Sequence, residues 1–174
     1  TADGSPVVIP MAFAVDGASL LLHGSVASRL MRTGSEVCVT VTIVDGWVFA
    51  RSLFNSSMNY RSVAVLGVPT VLSAEEKLDA LLRLSASLLP GRIDHARGPT
   101  DIELRQTTVW RLPLDEASAK IRTGPPVDDE EDLDLPYWGG VVPLRTVAGD
   151  PISDGAGQPI DVPDHVTAIV AARQ

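Results

Sequence analysis

The sequence has 174 residues with one cysteine, and its formal net charge is −8 at pH 7. A chain of this length can bury a core without disulfides, so we predict a single domain over residues 1–174. The acidic balance argues against general binding to nucleic acid or to an anionic membrane surface, and no apolar run is long enough to cross a bilayer. We therefore expect neither nucleic acid nor a membrane as a partner.

The N-terminal segment carries two turn signals. Asp3-Gly4 precedes an apolar run, as a hairpin turn would after a first strand that the sequence lacks, so we expect the sequence to be a fragment. Residues 7–13 are predicted to form a strand, and Asp16-Gly17 is predicted to be the turn that leads into residues 19–23. No secretory signal is visible, and we expect a cytoplasmic location.

The stretch "HGSVASR", residues 23–29, follows this hairpin and changes character. Ser25 is a suitable N-cap, which predicts a short helix that runs to about Arg32. Gly34 is a suitable residue to end it.

The segment 36–44 alternates valine and isoleucine with small or polar residues, which predicts a strand with one buried face. Cys38 lies within this run and is predicted to be a small buried hydrophobe in a reducing environment. Asp45-Gly46 is predicted to turn the chain into a second hairpin strand over residues 47–52.

The middle of the chain is predicted to form a long strand over residues 60–72, bent near Gly67 and Pro69. Ser73, Ala74, Glu75 and Glu76 form a capping box, and leucines follow at helical spacing. The sequence therefore predicts an amphipathic helix that ends at Pro90-Gly91.

The remaining elements are shorter: a helix over 100–106, strands over 107–114 and 117–121, and short strands in "YWGGVVPL" and "VTAIV". The composition shifts to Pro, Gly and Asp from Thr123, and the acidic run 128–134 is interpreted as a solvated loop. Strands joined by tight turns with few helices indicate an antiparallel barrel or an α+β fold.

Several common enzyme motifs are absent from the sequence. It contains no GxGxxG after a strand, no GxxxxGK[ST] and no GxSxG. The three histidines, His23, His95 and His165, lack the spacing of a metal site. We therefore predict no metal site.

Two segments combine donors that suit a phosphate group. In "HGSVASR", the predicted helix N-terminus would add backbone N–H groups to the side chains of Ser25, Ser28 and Arg29. In "NYRSV", residues 59–63, Arg61 and Ser62 offer a second set of donors, and Tyr60 faces the opposite side of the strand from Arg61. Taken singly, each arginine is more often an exposed surface charge, and His23 is more often a hydrogen-bonded residue at a strand end than a catalytic group.

The ordered segments "VVIPMAF", "LLLHGSVASRL", "VCVTVTIVDGWVFARS", "NYRSVAVLG" and "SAEEKLDALL" resemble the FMN-binding split-barrel proteins related to pyridoxamine 5′-phosphate oxidase. The similarity is greatest to the branch that includes nitroimidazole-resistance reductases, and it covers roughly residues 5–145. The resemblance implies a mainly β fold with a few helices, a six-stranded antiparallel split β-barrel, usually a homodimer with two flavin sites at the subunit interface.

The resemblance also implies a set of cofactor-binding residues. Pro10 and Met11 would lie on a strand beside the isoalloxazine ring, and His23 and Gly24 at the edge of the flavin or its ribityl chain. Ser28 and Arg29 would bind the phosphate, with Ser25 beside them. The remaining members of the set are Tyr60, Arg61 and Ser62 on the next binding strand, and Trp138 near the dimer interface.

The function implied is that of an FMN-dependent oxidoreductase. It would transfer hydride or electrons between a reduced donor, such as a nicotinamide, and a small organic acceptor, with His23 as a proton donor near the flavin. The arginine and histidine that bind pyridoxal phosphate in the true oxidases have no recognisable counterpart near the C-terminus, so oxidation of vitamin B6 is not predicted. One alternative is a flavin or haem carrier or sensor without turnover, in which His23 would be an axial haem ligand. The other is a barrel with a structural or partner-binding function.

Overall fold

The computed structural model describes residues 5–32, 34–157 and 159–173. The chain forms eight strands among these residues: β1 (Phe13–Asp16), β2 (Ser19–Ser25), β3 (Val37–Phe49), β4 (Ser57–Gly67), β5 (Thr70–Val71), β6 (Thr107–Pro113), β7 (Glu116–Arg122) and β8 (Gly140–Pro143). The α-helices are α1 (Ala74–Leu88), α2 (Asp101–Gln106) and α3 (Asp164–Ala171). Short 3-10 turns lie at Leu30–Arg32, Arg92–His95 and Glu130–Asp132.

The strands form two four-stranded sheets, with the orders β1-β2-β6-β5 and β7-β4-β3-β8. This confirms the mainly β, antiparallel split-barrel class, with eight strands among the described residues where six were predicted. No helix in the described part of the chain is both long and apolar enough to span a bilayer.

The chain divides into two compact units. The first contains the described residues of Thr1–Val37, Leu66–Glu116 and Val147–Gln174, and the second contains Cys38–Val65 and Ala117–Thr146. Each unit is therefore assembled from segments that are separated in the sequence.

The first unit is built on the predicted hairpin. Asp16 of β1 pairs with Ser19 of β2, and Gly17 adopts a φ of 59°, a left-handed conformation that glycine reaches without strain. The predicted first strand over residues 7–13 is wrong, because the pairing begins only at Phe13. The predicted Asp3-Gly4 turn lies outside the described residues.

Helix α1 covers the sheet of the first unit and begins as the capping box predicts. The Ser73 hydroxyl accepts from the Glu76 amide at 3.3 Å, and the Glu76 carboxylate accepts from the Ser73 amide at 3.1 Å. The core between them consists of fully or nearly fully buried side chains: Ala14, Leu21, Leu72, Ala80, Leu84 and Val109. Burial of these groups is the main stabilising contribution to this unit.

Strand β3 of the second unit runs without a break through Asp45-Gly46, so the predicted second hairpin is wrong. Gly46 pairs with Pro143 of β8. A Cβ on Gly46 would lie only 2.9 Å from the carbonyl oxygen of Val142. Glycine is therefore required here because the backbone of β8 approaches closely. A tight turn also favours glycine, so the sequence alone does not distinguish the two cases.

Three further local predictions are corrected. The helix expected from Ser25 to about Arg32 is reduced to the 3-10 turn Leu30–Arg32. The C-terminal "VTAIV" lies in α3 and forms no strand. Cys38 is exposed on β3, where its Sγ lies 3.6 Å from the Thr40 hydroxyl, so it is not a buried hydrophobe.

The histidines His95 and His165 stack in the first unit, with ring centroids 4.3 Å apart and an interplanar angle of 28°. Both ring nitrogens of His165 are buried without a hydrogen-bond partner among the described residues. Burial first, and then the charges of His95 and Arg92, lower the pKa of His165 below its usual value. The folded protein therefore favours the neutral imidazole.

This environment predicts that acidification destabilises the protein. The pKa of His165 in the folded state is lower than the unfolded value of about 6.5. Above that pH the imidazole is neutral in both states, and the free energy of unfolding is unaffected. As the pH falls below it, the unfolded state binds a proton more readily than the folded state, so the free energy of unfolding decreases. Urea midpoints measured at about pH 5 and about pH 8 should differ less in a His165→Phe variant than in the wild type. An undiminished pH dependence in that variant would contradict the assignment.

Candidate functional site

An open cavity of about 390 Å³ lies in the first unit where β2 ends. It is lined by His23, Gly24, Ser25, Glu103, Gln106 and Thr107. These residues come from the end of β2, the last part of α2 and the start of β6. The Val26 amide donates to the Gln106 carbonyl at 3.0 Å, and this bond holds the two walls together.

His23 is the predicted site residue that lies on β2 at this cavity and has a buried, unpaired ring nitrogen. It pairs opposite Val109 of β6 and is half-buried. Its Nδ1 atom is buried and has no hydrogen-bond partner among the described residues. A buried polar atom without a partner costs about 1–3 kcal/mol, so a hydrogen-bond partner for this nitrogen would stabilise the folded protein.

Gly24 lines the same cavity and has a packing function as well. A Cβ at this position would lie 2.9 Å from Cγ of Met31, whose side chain is buried. The absence of a side chain therefore allows the 3-10 turn after β2 to pack against the strand.

The serines of "HGSVASR" bond locally. Ser25 Oγ accepts from the Ala27 amide at 3.1 Å, and Ser28 Oγ accepts from the Met31 amide at 3.5 Å. Arg29 is exposed. Because only a 3-10 turn follows, the predicted helix N-terminus is not there to bind phosphate, and that part of the prediction now depends on side chains.

Glu103 and Arg97 form an ion pair at the rim of the cavity. Arg97 donates to both carboxylate oxygens, at 2.8 and 2.6 Å, and Thr100 donates to one of them. These bonds lower the pKa of Glu103 to about 2, so it is ionised at neutral pH. Because Arg97 balances this charge, the Glu103 wall presents an ion pair to a ligand and not an uncompensated carboxylate.

Sequence reasoning missed Glu103, Gln106 and Thr107 as lining residues. A local signal was present, because Thr100 and Glu103 form a second capping box that fixes the start of α2. The Thr107 hydroxyl then donates to the Glu103 carbonyl at 2.8 Å where the helix passes into β6. The distance in sequence between these residues and His23 hid their proximity.

The predicted residues of "NYRSV" lie on β4 in the second unit, where the polar groups of Arg61 and Ser62 already have partners. Arg61 donates to both oxygens of Asp45, from Nε at 2.9 Å and Nη2 at 2.8 Å. The Ser62 and Thr42 hydroxyls lie 2.8 Å apart, and Tyr60 is half-buried. Arg61 would therefore have to exchange a carboxylate for a phosphate in order to act as predicted.

Trp138 also belongs to the second unit, and its side chain is 65% exposed. Its ring lies 5.8 Å from the ring of Phe49, measured between centroids. A Cβ on Gly140 would come within 2.5 Å of the indole ring, so glycine leaves the space in which the ring lies. The indole ring therefore contacts Phe49 and lies over Gly140, while most of it stays exposed.

Pro10 and Met11 precede β1 and belong to no strand, so the predicted strand beside an isoalloxazine ring is not formed at these residues. Pro10 is exposed and Met11 is half-buried. Within the described residues, no group of three or more His, Cys, Asp or Glu side chains is placed to hold a metal ion.

Residues 1–121 match the family model of pyridoxamine 5′-phosphate oxidase. The chain belongs to this family. The resemblance noted in the sequence is thereby confirmed, and membership accounts for the antiparallel sheets described above. A comparison with curated proteins gave no match.

A comparison with solved structures found two that are similar to this protein over nearly the whole chain. The flavocytochrome Anf3 from Azotobacter vinelandii is 36% identical, with a TM-score of 0.91 over 97% of this chain and 80% of its own. The FAD and heme binding protein from Mycobacterium smegmatis is 35% identical, with a TM-score of 0.91 over 98% of this chain and 86% of its own.

A third solved structure supports the fold alone. It is a candidate 5-nitroimidazole antibiotic resistance protein from Bacteroides thetaiotaomicron, 22% identical, with a TM-score of 0.55. The matched region covers 67% of this chain and 69% of the chain of that protein.

Proposed function

We propose that this protein is a flavin-dependent oxidoreductase that also binds haem. It would transfer electrons or hydride from a reduced donor, such as a nicotinamide, to a small organic acceptor. The observation that supports this most strongly is the similarity, at 36% and 35% identity over almost the full chain, to a flavocytochrome and to an FAD and heme binding protein. A bound flavin supplies two-electron chemistry, and a bound haem supplies one-electron chemistry.

The cavity at the end of β2 fits such a cofactor chemically. His23 lines the cavity, and its imidazole would supply either a hydrogen bond to a flavin heteroatom or a ligand to a haem iron.

The phosphate of the flavin is assigned to Ser28 and Arg29 by the resemblance, with Ser25 beside them. A guanidinium and two hydroxyls supply the charge and the donors that a phosphate needs. Tyr60, Arg61, Ser62 and Trp138 in the second unit, and Pro10 and Met11 before β1, stay predictions of the same kind. Each of these residues can be tested by replacing it singly with alanine and measuring the affinity of the variant for flavin.

The identity of the flavin has two candidates. FMN is implied by the family resemblance, whereas the similarity to the FAD and heme binding protein supports FAD. We propose FAD on the strength of that similarity. Mass measurement of the flavin released by heat distinguishes the two.

The protein is further proposed to act as a cytoplasmic homodimer, as the resemblance implies.

The carrier or sensor alternative would bind the same cofactors without turnover. It is distinguished by turnover, since only the oxidoreductase would couple oxidation of a reduced nicotinamide to reduction of an acceptor in repeated cycles.

The absorbance spectrum of the purified protein is the direct test. We expect flavin bands in the near-ultraviolet and blue, together with a Soret band from haem. A His23→Ala variant should lose or shift one of the two signals, whereas the matched His95→Ala variant should retain both. A colourless protein that takes up neither added FAD, FMN nor haemin would contradict the proposal.

A further inference from the structure

The C-terminal segment of the first unit, residues 147–173, packs less tightly than the core. An irregular and largely exposed stretch leads into α3, and α3, whose residues are all described, contains no fully buried side chain. The Ala148 amide donates to the Arg173 carbonyl at 3.1 Å, so the two ends of the segment are joined to each other. Among the described residues, no member of the buried core comes from this segment. Segments with few buried apolar contacts open locally at a lower free-energy cost than the core.

Two stacked histidines lie where this segment meets the rest of the first unit. They are His95 and His165, which we call the histidine pair, and their ring centroids are 4.3 Å apart at an interplanar angle of 28°. The backbone approach is close as well, because a Cβ on Gly91 would lie 2.7 Å from the Cβ of His165. The histidine pair therefore joins α3 to the 3-10 turn that follows α1.

The two rings of the histidine pair differ in their surroundings. Nδ1 of His95 lies 3.0 Å from the Gly91 carbonyl oxygen. Because a carbonyl only accepts, Nδ1 carries the hydrogen, and Nε2 of His95 is the nitrogen that can bind a further proton. Both nitrogens of His165 are buried, and no described residue hydrogen-bonds to them. A proton added to His165 while the segment is in place would therefore create a charged N–H group without an acceptor.

The charges around His165 also oppose its protonation. The ionisable side chains of the turn and of α3 are Arg92, Asp94, His95, Asp164 and His165. His95 and Arg92 lower the pKa of His165, in addition to the larger effect of its burial. The two carboxylates are exposed, and α1, which packs against the turn, has no ionisable residue after Arg83.

We propose that the histidine pair is a pH-sensitive contact: as the pH falls from about 8 to about 5, residues 147–173 separate from the turn Arg92–His95 while the core of the first unit stays folded. Once the segment has separated, water surrounds His165 and the neighbouring cations no longer oppose its proton. The open state therefore binds protons more readily than the closed state, and acidification shifts the equilibrium toward it. This inference goes beyond the proposed function and does not depend on a cofactor.

Hydrogen exchange of the purified protein, measured by mass spectrometry, tests the proposal. Labelling times are scaled to the intrinsic exchange rate at each pH, so that protection factors at the two pH values can be compared. Protection of peptides from α3 should fall by at least about 10-fold between about pH 8 and about pH 5, since one unit of pKa difference shifts the opening equilibrium 10-fold. Peptides from β6, which contributes to the core, should keep their protection.

Two variants make this result specific. His165→Phe keeps an aromatic ring in the stack but cannot be protonated, so its α3 should be equally protected at both pH values. His23→Phe removes the third histidine of the chain and should retain the fall seen in the wild type. Equal protection of wild-type α3 at both pH values, an equal fall in α3 and β6, or an undiminished fall in His165→Phe would overturn the proposal.

A second measurement uses the wild type alone, in case α3 of the His165→Phe variant does not pack. The NMR signal of Cε1 in an imidazole reports its protonation directly. The midpoint for protonation of His165 should coincide with the midpoint for the loss of protection in α3. A His165 that becomes protonated while α3 stays protected, or an α3 that opens while His165 is neutral, would contradict the assignment.

Discussion

Replacing Arg29 with alanine is expected to weaken flavin binding about 10- to 150-fold, the equivalent of about 1.5–3 kcal/mol. The physical reason is the loss of a charged donor to the phosphate, which the resemblance assigns to this side chain. Titration of cofactor-free protein with FAD or FMN, followed by flavin fluorescence, measures the change.

Two controls make the Arg29 result specific. Arg32, another exposed arginine three residues along, donates from Nε to the Ser28 carbonyl at 3.4 Å and is outside the predicted set. The Arg32→Ala variant should bind flavin like the wild type. Riboflavin lacks a phosphate, so its affinity should be the same for the Arg29→Ala variant and the wild type. Unchanged FAD and FMN affinity in the Arg29→Ala variant would remove Arg29 from the site.

Replacing Asp128 with alanine is expected to lower the free energy of unfolding by about 2–4 kcal/mol. The side chain of Asp128 is only 3% exposed and accepts from the Arg51 amide at 2.6 Å and from its guanidinium at 2.8 Å. Its removal leaves a partly buried charge and a backbone N–H without their partner. Because Arg51 keeps 28% exposure, the loss should be smaller than for a fully buried pair.

Urea unfolding followed by circular dichroism measures this loss. The neighbouring Asp129→Ala variant is the control, since Asp129 is exposed and makes one 3.2 Å hydrogen bond to Asn55. That change should cost no more than about 1 kcal/mol. Arg51 also packs beside Gly139, so the Asp128→Ala variant should alter the fluorescence of the adjacent Trp138. Equal free energies of unfolding for the two variants would show that the Arg51–Asp128 pair does not stabilise the folded position of the acidic run 128–134.

Asp128 also corrects the interpretation of the acidic run 128–134 as a solvated loop. Charge blocks are usually hydrated, and Glu130 and Glu131 are indeed exposed. The first residue of the run is the exception because Arg51, which is distant in sequence, supplies both a charge and an amide. Only tertiary contact distinguishes that carboxylate from its neighbours.

Local chemistry predicted part of the fold well. The capping box at Ser73 specifies the start of α1, and Asp16-Gly17 specifies a hairpin, because both signals act within a few residues. The same turn signal at Asp45-Gly46 failed, since β8 pairs along β3 and keeps it extended. "VTAIV" failed for another reason: a short apolar run does not distinguish a strand from a helix.

The candidate site was predictable only in part. His23 stood out because it interrupts an apolar strand. The structure shows that it lines a cavity, and its function there stays a prediction. Glu103 and Thr107 were not predicted as lining residues because they reach the cavity through the pairing of β2 with β6, which no local pattern reveals. The serines of "HGSVASR" were assigned to a helix N-terminus, whereas a tight turn uses their hydroxyls.

The unbroken course of β3 through Asp45-Gly46 has a consequence for the chemical ageing of the protein. Asp-Gly sequences readily form a succinimide, in which the glycine nitrogen attacks the aspartic acid carboxyl group, and isoaspartate follows. Here the extended strand disfavours the required ring, and hydrogen bonding from Arg61 lowers the pKa of Asp45 and keeps the less reactive carboxylate. A dipeptide that would be a weak point in a flexible turn is thereby protected from slow covalent damage.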